Sequence, residues 1–185
     1  MRSRNCFLTL LLLSAMHLRA AGQGDWSEPA VVRYDDNVCL SYRARVQGDY
    51  VMVRVAIEPG WHTFAMDNQQ RASEKLAGKK ALAIDRATEI RLDGALKAVG
   101  PWFQSPPKDF SKPELRIFTW GFEESALFAV KVQRSGAGPA RLAVKGQACT
   151  DAICKNIDIA MTVQAVGSSV GSGKPLDGLI PVQAP

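Results

Sequence analysis

The chain has 185 residues, 46% hydrophobic and 22% charged, with 4 Cys, 15 Gly and 10 Pro, which excludes wholesale disorder, collagen and coiled coil and suits one domain with a core of ordinary size. The formal charge of +5 overstates its basic character, because Arg2, Arg4 and Arg19 sit in an N-terminal stretch with no acidic residue before Asp25; without them 20 basic residues face 18 acidic ones, a net of +2. Nothing in that balance drives nucleic-acid binding. Residues 1–24 read MRSRNCFLTLLLLSAMHLRAAGQG: two arginines, an apolar run from about Cys6 to Leu18, then the small residues Ala20, Ala21 and Gly22. That order predicts a secretory signal peptide over residues 1–22. The run falls short of the roughly 20 residues that cross a bilayer, which disfavours the alternative of an uncleaved anchor, and no lipobox cysteine follows it. The remainder is expected to be exported, periplasmic or secreted, without stable membrane insertion, in a compartment where disulfides form.

Beyond the leader, period-two alternation dominates. Residues 31–46 predict one or two strands through Val38, Leu40 and Tyr42, and Val51, Val53, Val55 and Ile57 share one strand face. Gln47-Gly48-Asp49 and Glu58-Pro59-Gly60 supply turns. Residues 68–82 predict one short helix around Ser73–Leu76, interrupted at Gly78. Residues 99–114 hold Pro101, Pro106, Pro107 and Pro113. They are expected to form a long loop carrying Trp102, Phe103 and Phe110, since proline cannot sit in a central strand. Three further strands follow, through Phe128, Val130 and Val132, through Leu142 and Val144, and through Ile157, Ile159, Met161 and Val163. The Gly/Ser/Pro-rich segment 167–185 is expected to be a flexible tail. The reading is an all-β sandwich of about seven to nine strands, with one short helix, over residues 25–166.

The cysteines carry the chemical information. Cys6 leaves with the signal, so Cys39, Cys149 and Cys154 remain, an odd number for an exported protein. Cys149 and Cys154 enclose Thr150-Asp151-Ala152-Ile153. In an extended strand their Cα atoms would lie roughly 16 Å apart, far beyond the roughly 4.4–6.8 Å of a disulfide, and a helix would put them on different faces. If they bond, residues 150–153 must turn back, and Thr150-Asp151 suits a turn. As a staple the bond is weak: loop entropy gives roughly 2 kcal/mol for a six-residue ring against nearly 5 for a ring of about a hundred residues, such as Cys39–Cys149 would close. A tight ring suits reversible opening better. Three uses stay open: redox exchange, a static clip, or a C-x4-C metal half-site completed by Cys39 and His62. Cys39, between Val38 and Leu40, reads as a small core residue, and His62 as a partly exposed strand histidine. No Gly-x-Ser-x-Gly or HExxH motif competes, and no cofactor is implied.

The order of these features resembles the N-terminal periplasmic domain of the thiol:disulfide interchange protein DsbD. The stretches that carry the resemblance are VMVRVAIEPGWHTF (51–64), TWGFEESALFAVKV (119–132) and ARLAVKGQACTDAICKNIDIAMTV (140–163), with the tail similar to the family's linker to a membrane domain. The resemblance implies an immunoglobulin-like fold with Cys149 and Cys154 as a redox pair, unranked between them. It also implies a thioredoxin-like electron donor, here on another chain, and oxidised proteins as acceptors. A family loop with an aromatic residue shields the pair, and Asp109-Phe110 is the nearest match to it. The chemistry implied is thiol–disulfide exchange, as in a protein-disulfide reductase relay, with Lys155 favouring a thiolate and Asp151 disfavouring it. The alternative is a non-catalytic binding or structural module of the same fold, in which Cys149–Cys154 is a permanent clip.

Overall fold

The computed structural model describes residues 26–79, 85–164 and 174–183. The expected signal peptide, with Cys6, lies outside the described residues, as do 167–173 and 184–185 of the expected tail. The strands are β1 (Ala30–Tyr34), β2 (Asn37–Gln47), β3 (Tyr50–Ile57), β4 (His62–Phe64), β5 (Glu89–Gly94), β6 (Leu96–Gln104), β7 (Lys108–Asp109), β8 (Trp120–Phe122), β9 (Ser125–Arg134), β10 (Pro139–Cys149), β11 (Cys154–Gln164) and β12 (Ile180–Pro181); helix α1 (Asn68–Leu76) follows β4. One sheet has the order β1-β2-β3-β9-β6-β12 and the other β11-β10-β4-β8-β7, with β5 also paired to β10. Every strand pair is antiparallel. The fold is an all-β sandwich with one short helix, as the alternation predicts, and immunoglobulin-like, as the resemblance implies. Eight of the twelve strand segments among the described residues run five residues or more; the others are too short to leave a period-two signature.

The core is built from the alternating positions. Val51, Val53 and Val55 on β3, Phe128 and Val130 on β9, and Leu142 and Val144 on β10 are fully buried between the sheets. Each such side chain contributes roughly 1.5–3 kcal/mol by leaving water. Cys39 lies in this core, fully buried, and burial pushes its thiol above the ordinary range, against smaller downward pulls from the Tyr34 backbone and Lys155. Helix α1 stops where expected: Ala77 adopts a left-handed conformation and Gly78 follows at φ +82°. Among the described residues, no helix is long and apolar enough to cross a membrane.

Two sequence expectations need correction. Trp102 and Phe103 lie on β6 and not in a loop. The register passes from Ala98↔Val132 directly to Trp102↔Val130, so Val99-Gly100-Pro101 bulge out of the ladder. Gly100 takes φ +83°, and the bulge removes the demand on Pro101 for a ladder N–H. Part of the tail is also docked. Ile180 and Pro181 pair with Gln104 and Phe103, Val182 N–H donates to Trp102 O at 2.9 Å, and Gln183 N–H donates to Asp67 Oδ2 at 3.2 Å. Asp67, 3% exposed, also accepts from Arg71 Nε (2.8 Å) and Nη2 (3.0 Å) and from Gln104 Nε2 (2.7 Å). That buried carboxylate gives the tail an anchor no composition rule foresees.

Candidate functional site

The site lies at the end of the β10–β11 hairpin. Eleven register pairs run from Pro139↔Gln164 to Cys149↔Cys154, so the two cysteines face each other across the last rung. Thr150 closes the turn. Its N–H donates to Ile153 O at 2.8 Å, and its Oγ1 accepts from the N–H groups of Ala152 (3.2 Å) and Ile153 (3.1 Å). With Thr150 and Ile153 hydrogen-bonded, the next pair outward is the close, non-hydrogen-bonded kind. Cys149 and Cys154 occupy it, with Cα atoms 4.0 Å apart and an S–S bond of 2.06 Å. The turn expected from Thr150-Asp151 is therefore what brings the sulfurs together.

The two cysteines differ in access. Ala140, Leu142, Val144 and Ala148 are the inward positions of β10, so parity puts Cys149 on the outer face of its sheet. It is nevertheless only 2% exposed, whereas Cys154 is exposed. Cys154 belongs to β11, an edge strand, and Cys149 to β10, an interior one.

On its other side β10 meets β4, where Cys149 is the register partner of His62 and Ala148 that of Thr63. Thr63 points inward, fully buried, and its Oγ1 donates to Gln147 O at 2.9 Å, locking β4 to β10. Cross-strand partners share a sheet face. Cys154, Cys149 and His62 therefore form one row across β11, β10 and β4 on the outer face. The His62 ring packs edge-on against Phe64 (centroids 5.3 Å) and is covered by Phe110 (5.4 Å). Burial lowers the His62 pKa below its ordinary 6.5; Asp85, Asp151 and Glu123 oppose that shift and Lys112 adds to it.

Phe110 is held at the base of a short excursion. Lys108 and Asp109 pair with Gly121 and Trp120, Phe110 N–H donates to Thr119 O at 2.9 Å, and Ser111 N–H donates to Asp109 Oδ1 at 2.9 Å. Beyond it a bridge between Lys112 and Ile117 closes a 3-10 turn, Pro113–Leu115, with Leu115 exposed at the tip. Gly121 makes the approach possible: a Cβ there would fall on the Thr63 carbonyl and lie 3.3 Å from Phe110 Cε2. Asp151 is exposed. Lys155 sits at the inward parity, where its charge acts on Cys39.

The metal alternative is not assembled. Cys149 and Cys154 are bonded to each other, Cys39 lies in the core and His62 lies on the outer face. Among the described residues no cluster of three or more metal-ligating side chains occurs. Sequence reasoning named Cys149, Cys154 and Phe110, and grouped His62 with the cysteines only as a metal ligand, not as the register neighbour of a disulfide. Its signal was positional: a histidine opening a strand just after Pro59-Gly60.

No protein-family model matches the chain, and no curated protein matches it. Among solved structures it is similar to the N-terminal periplasmic domain of ScsB from Proteus mirabilis, at 16% identity and TM-score 0.48, over 73% of this chain and 50% of that one. It is also similar to the GAE domain of GGA2p from Saccharomyces cerevisiae, at 9% identity and TM-score 0.32, over 75% of this chain and 100% of that one. The chain thus spans half the length of the ScsB chain it matches. It is likewise similar, at 16% identity and TM-score 0.46, over 77% of its own length and 89% of the other's, to the DsbD N-terminal domain of Neisseria meningitidis in the reduced form, the kind of domain its cysteine segment resembles.

Proposed function

We propose that this chain is an exported thiol–disulfide exchange module that relays electrons between partner proteins through Cys149 and Cys154. The observation that carries the reading is the unequal exposure of one cross-strand disulfide: a covered sulfur on an interior strand bonded to an open one on an edge strand. A thiolate attacking a disulfide approaches in line with the S–S bond. Cys154, exposed on the edge strand, is open to such an approach, whereas Cys149, 2% exposed between Cys154 and His62, is covered. Access is one of the factors that set exchange rates, so attack falls on Cys154 and Cys149 is the leaving sulfur.

The cycle then balances with no added group. A donor thiolate bonds to Cys154 Sγ and the Cys154–Cys149 bond breaks, its electron pair leaving on Cys149. The donor's second thiolate attacks the donor sulfur of the mixed disulfide and frees Cys154. Two electrons have entered the pair, and two protons follow from solvent. In the onward step the Cys154 thiolate attacks an acceptor disulfide, and Cys149 resolves that mixed disulfide to restore the bond. The donor is a protein dithiol of the thioredoxin-like kind, and the acceptors are oxidised proteins. The leader-like order of residues 1–22 supports export.

Trapping tests this. Cys149→Ala leaves Cys154 without its resolving partner and is expected to accumulate a mixed disulfide with an oxidised thioredoxin-like protein. Cys154→Ala, which keeps only the covered sulfur, is expected to give little. Adducts with neither variant refute exchange, and adducts with Cys154→Ala alone reverse the assigned order.

A further inference from the structure

We propose that His62 is the charge partner of the departing Cys149 sulfur, so that its protonation sets the pH dependence of disulfide opening. This rests on the exchange reading and adds a residue to it. His62 and Cys149 are register partners on β4 and β10, which puts their Cβ atoms about 5 Å apart on one face, with Cys154 on the far side of Cys149. When an incoming thiolate takes Cys154, negative charge develops on Cys149, a position 2% exposed. Water cannot solvate that charge well, and a buried thiolate without a partner is costly. The imidazole is the titratable group in the next strand of the row.

The surroundings suit that role. Phe64 meets the ring edge-on and Phe110 lies tilted over it, leaving it half-buried, and that partial shielding strengthens its effect on a neighbouring charge. Asp151 acts on it from the hairpin turn, Asp85 from the segment before β5, Glu123 from the turn after β8, and Lys112 from the Phe110 excursion. The three carboxylates favour an imidazolium and burial with Lys112 opposes it, so the ring is poised to take a proton when a negative charge appears beside it. It is the only histidine among the described residues, since the other, His17, falls in the expected signal.

The sign follows. In the oxidised protein His62 is neutral above a pKa lying below 6.5. As pH falls through that value the ring becomes cationic and lowers the pKa of the leaving thiol, and a better leaving thiol departs faster. An opposite charge at this range shifts a pKa by about 1–3 units. With leaving-group sensitivity near one half, the rate per attacking thiolate rises about three- to thirtyfold on the acid side.

The test measures opening of the oxidised pair by dithiothreitol from pH 5 to 8 by alkylation and intact mass, with rates expressed per dithiothreitol thiolate. The wild-type chain is expected to step up on the acid side. His62→Phe is expected to be flat. His62→Gln, which keeps a polar amide without a titrating ring, is expected to be flat as well and guards against a fold lost in the Phe variant. A flat wild-type profile, or the same step in His62→Gln, overturns the proposal. Failure of the relay itself would appear elsewhere, as no capture of a thioredoxin-like protein by Cys149→Ala, with the dithiothreitol step intact.

Discussion

Reducing the Cys149–Cys154 bond should cost the fold little, and the amount distinguishes a relay from a clip. The bond closes a ring between residues five apart in sequence, for which loop entropy gives about 2 kcal/mol. The ring adds nothing to the topology, because ten register pairs beyond the cysteines already hold β10 to β11 and Thr150 closes the turn by itself. By the thermodynamic cycle, what the bond adds to stability is what folding adds to the oxidised state. At 1.4 kcal/mol per 30 mV for a two-electron couple, about 2 kcal/mol lowers the reduction potential by about 40 mV relative to the unfolded chain. Urea unfolding of the oxidised and reduced forms reads the first quantity; glutathione equilibration of the folded protein and of the chain in denaturant reads the second. The two should agree, the m-value should change little, and the folded potential should lie above the range under about −300 mV typical of structural disulfides. A reduced chain that unfolds, or a loss above about 4 kcal/mol, would show that the pair holds the hairpin together and would refute the reasoning.

Phe110→Ala removes the ring that covers His62, so the His62 pKa, lowered chiefly by burial, should move up toward 6.5; the C2–H resonance of that single histidine among the described residues follows it in the oxidised protein, and an unchanged value would mean the ring is not what keeps water away. Asp67 is buried, which alone would raise its pKa, but Arg71, Gln104 and Gln183 N–H outweigh burial and hold it below the usual carboxylate range. Its contribution is therefore present above the ordinary carboxylate pKa and is lost as pH falls through the depressed folded value. Asp67→Asn should cost about 2–3 kcal/mol near pH 7 and flatten the acid side of a thermal-melt series against pH.

Most of the fold was legible because one face of the long strands is consistently buried and the other is more open at most positions, Met52 and Ala129 being exceptions. Val51, Val53 and Val55 are fully buried while Arg54 between two of them is exposed, and period-two reasoning needs only that contrast. It fails where tertiary contacts override local chemistry. Pro101 reads as a strand breaker, yet a bulge carries β6 around it. The tail reads as a linker, yet Asp67, Gln104 and Trp102, all distant in sequence, give residues 180–183 a docking edge.

The candidate site divides along the same line. Its sulfur pair lies within one hairpin, so spacing and turn chemistry suffice: an extended or helical segment cannot unite Cys149 and Cys154, and a turn at Thr150 can. What surrounds the pair comes from elsewhere in the chain. His62 reaches Cys149 only through the β4–β10 register, and Phe110 reaches His62 only because Gly121 leaves room between β8 and β4. Neither contact has a local sequence signature. Yet these distant residues make the two sulfurs unequal. The hairpin alone would present two equivalent thiols at a bend; packing its interior strand against β4 covers one and leaves the other at a free sheet edge. The order of attack thus belongs to the sheet, and moving the pair by one register position would turn both side chains to the inward face and abolish that order.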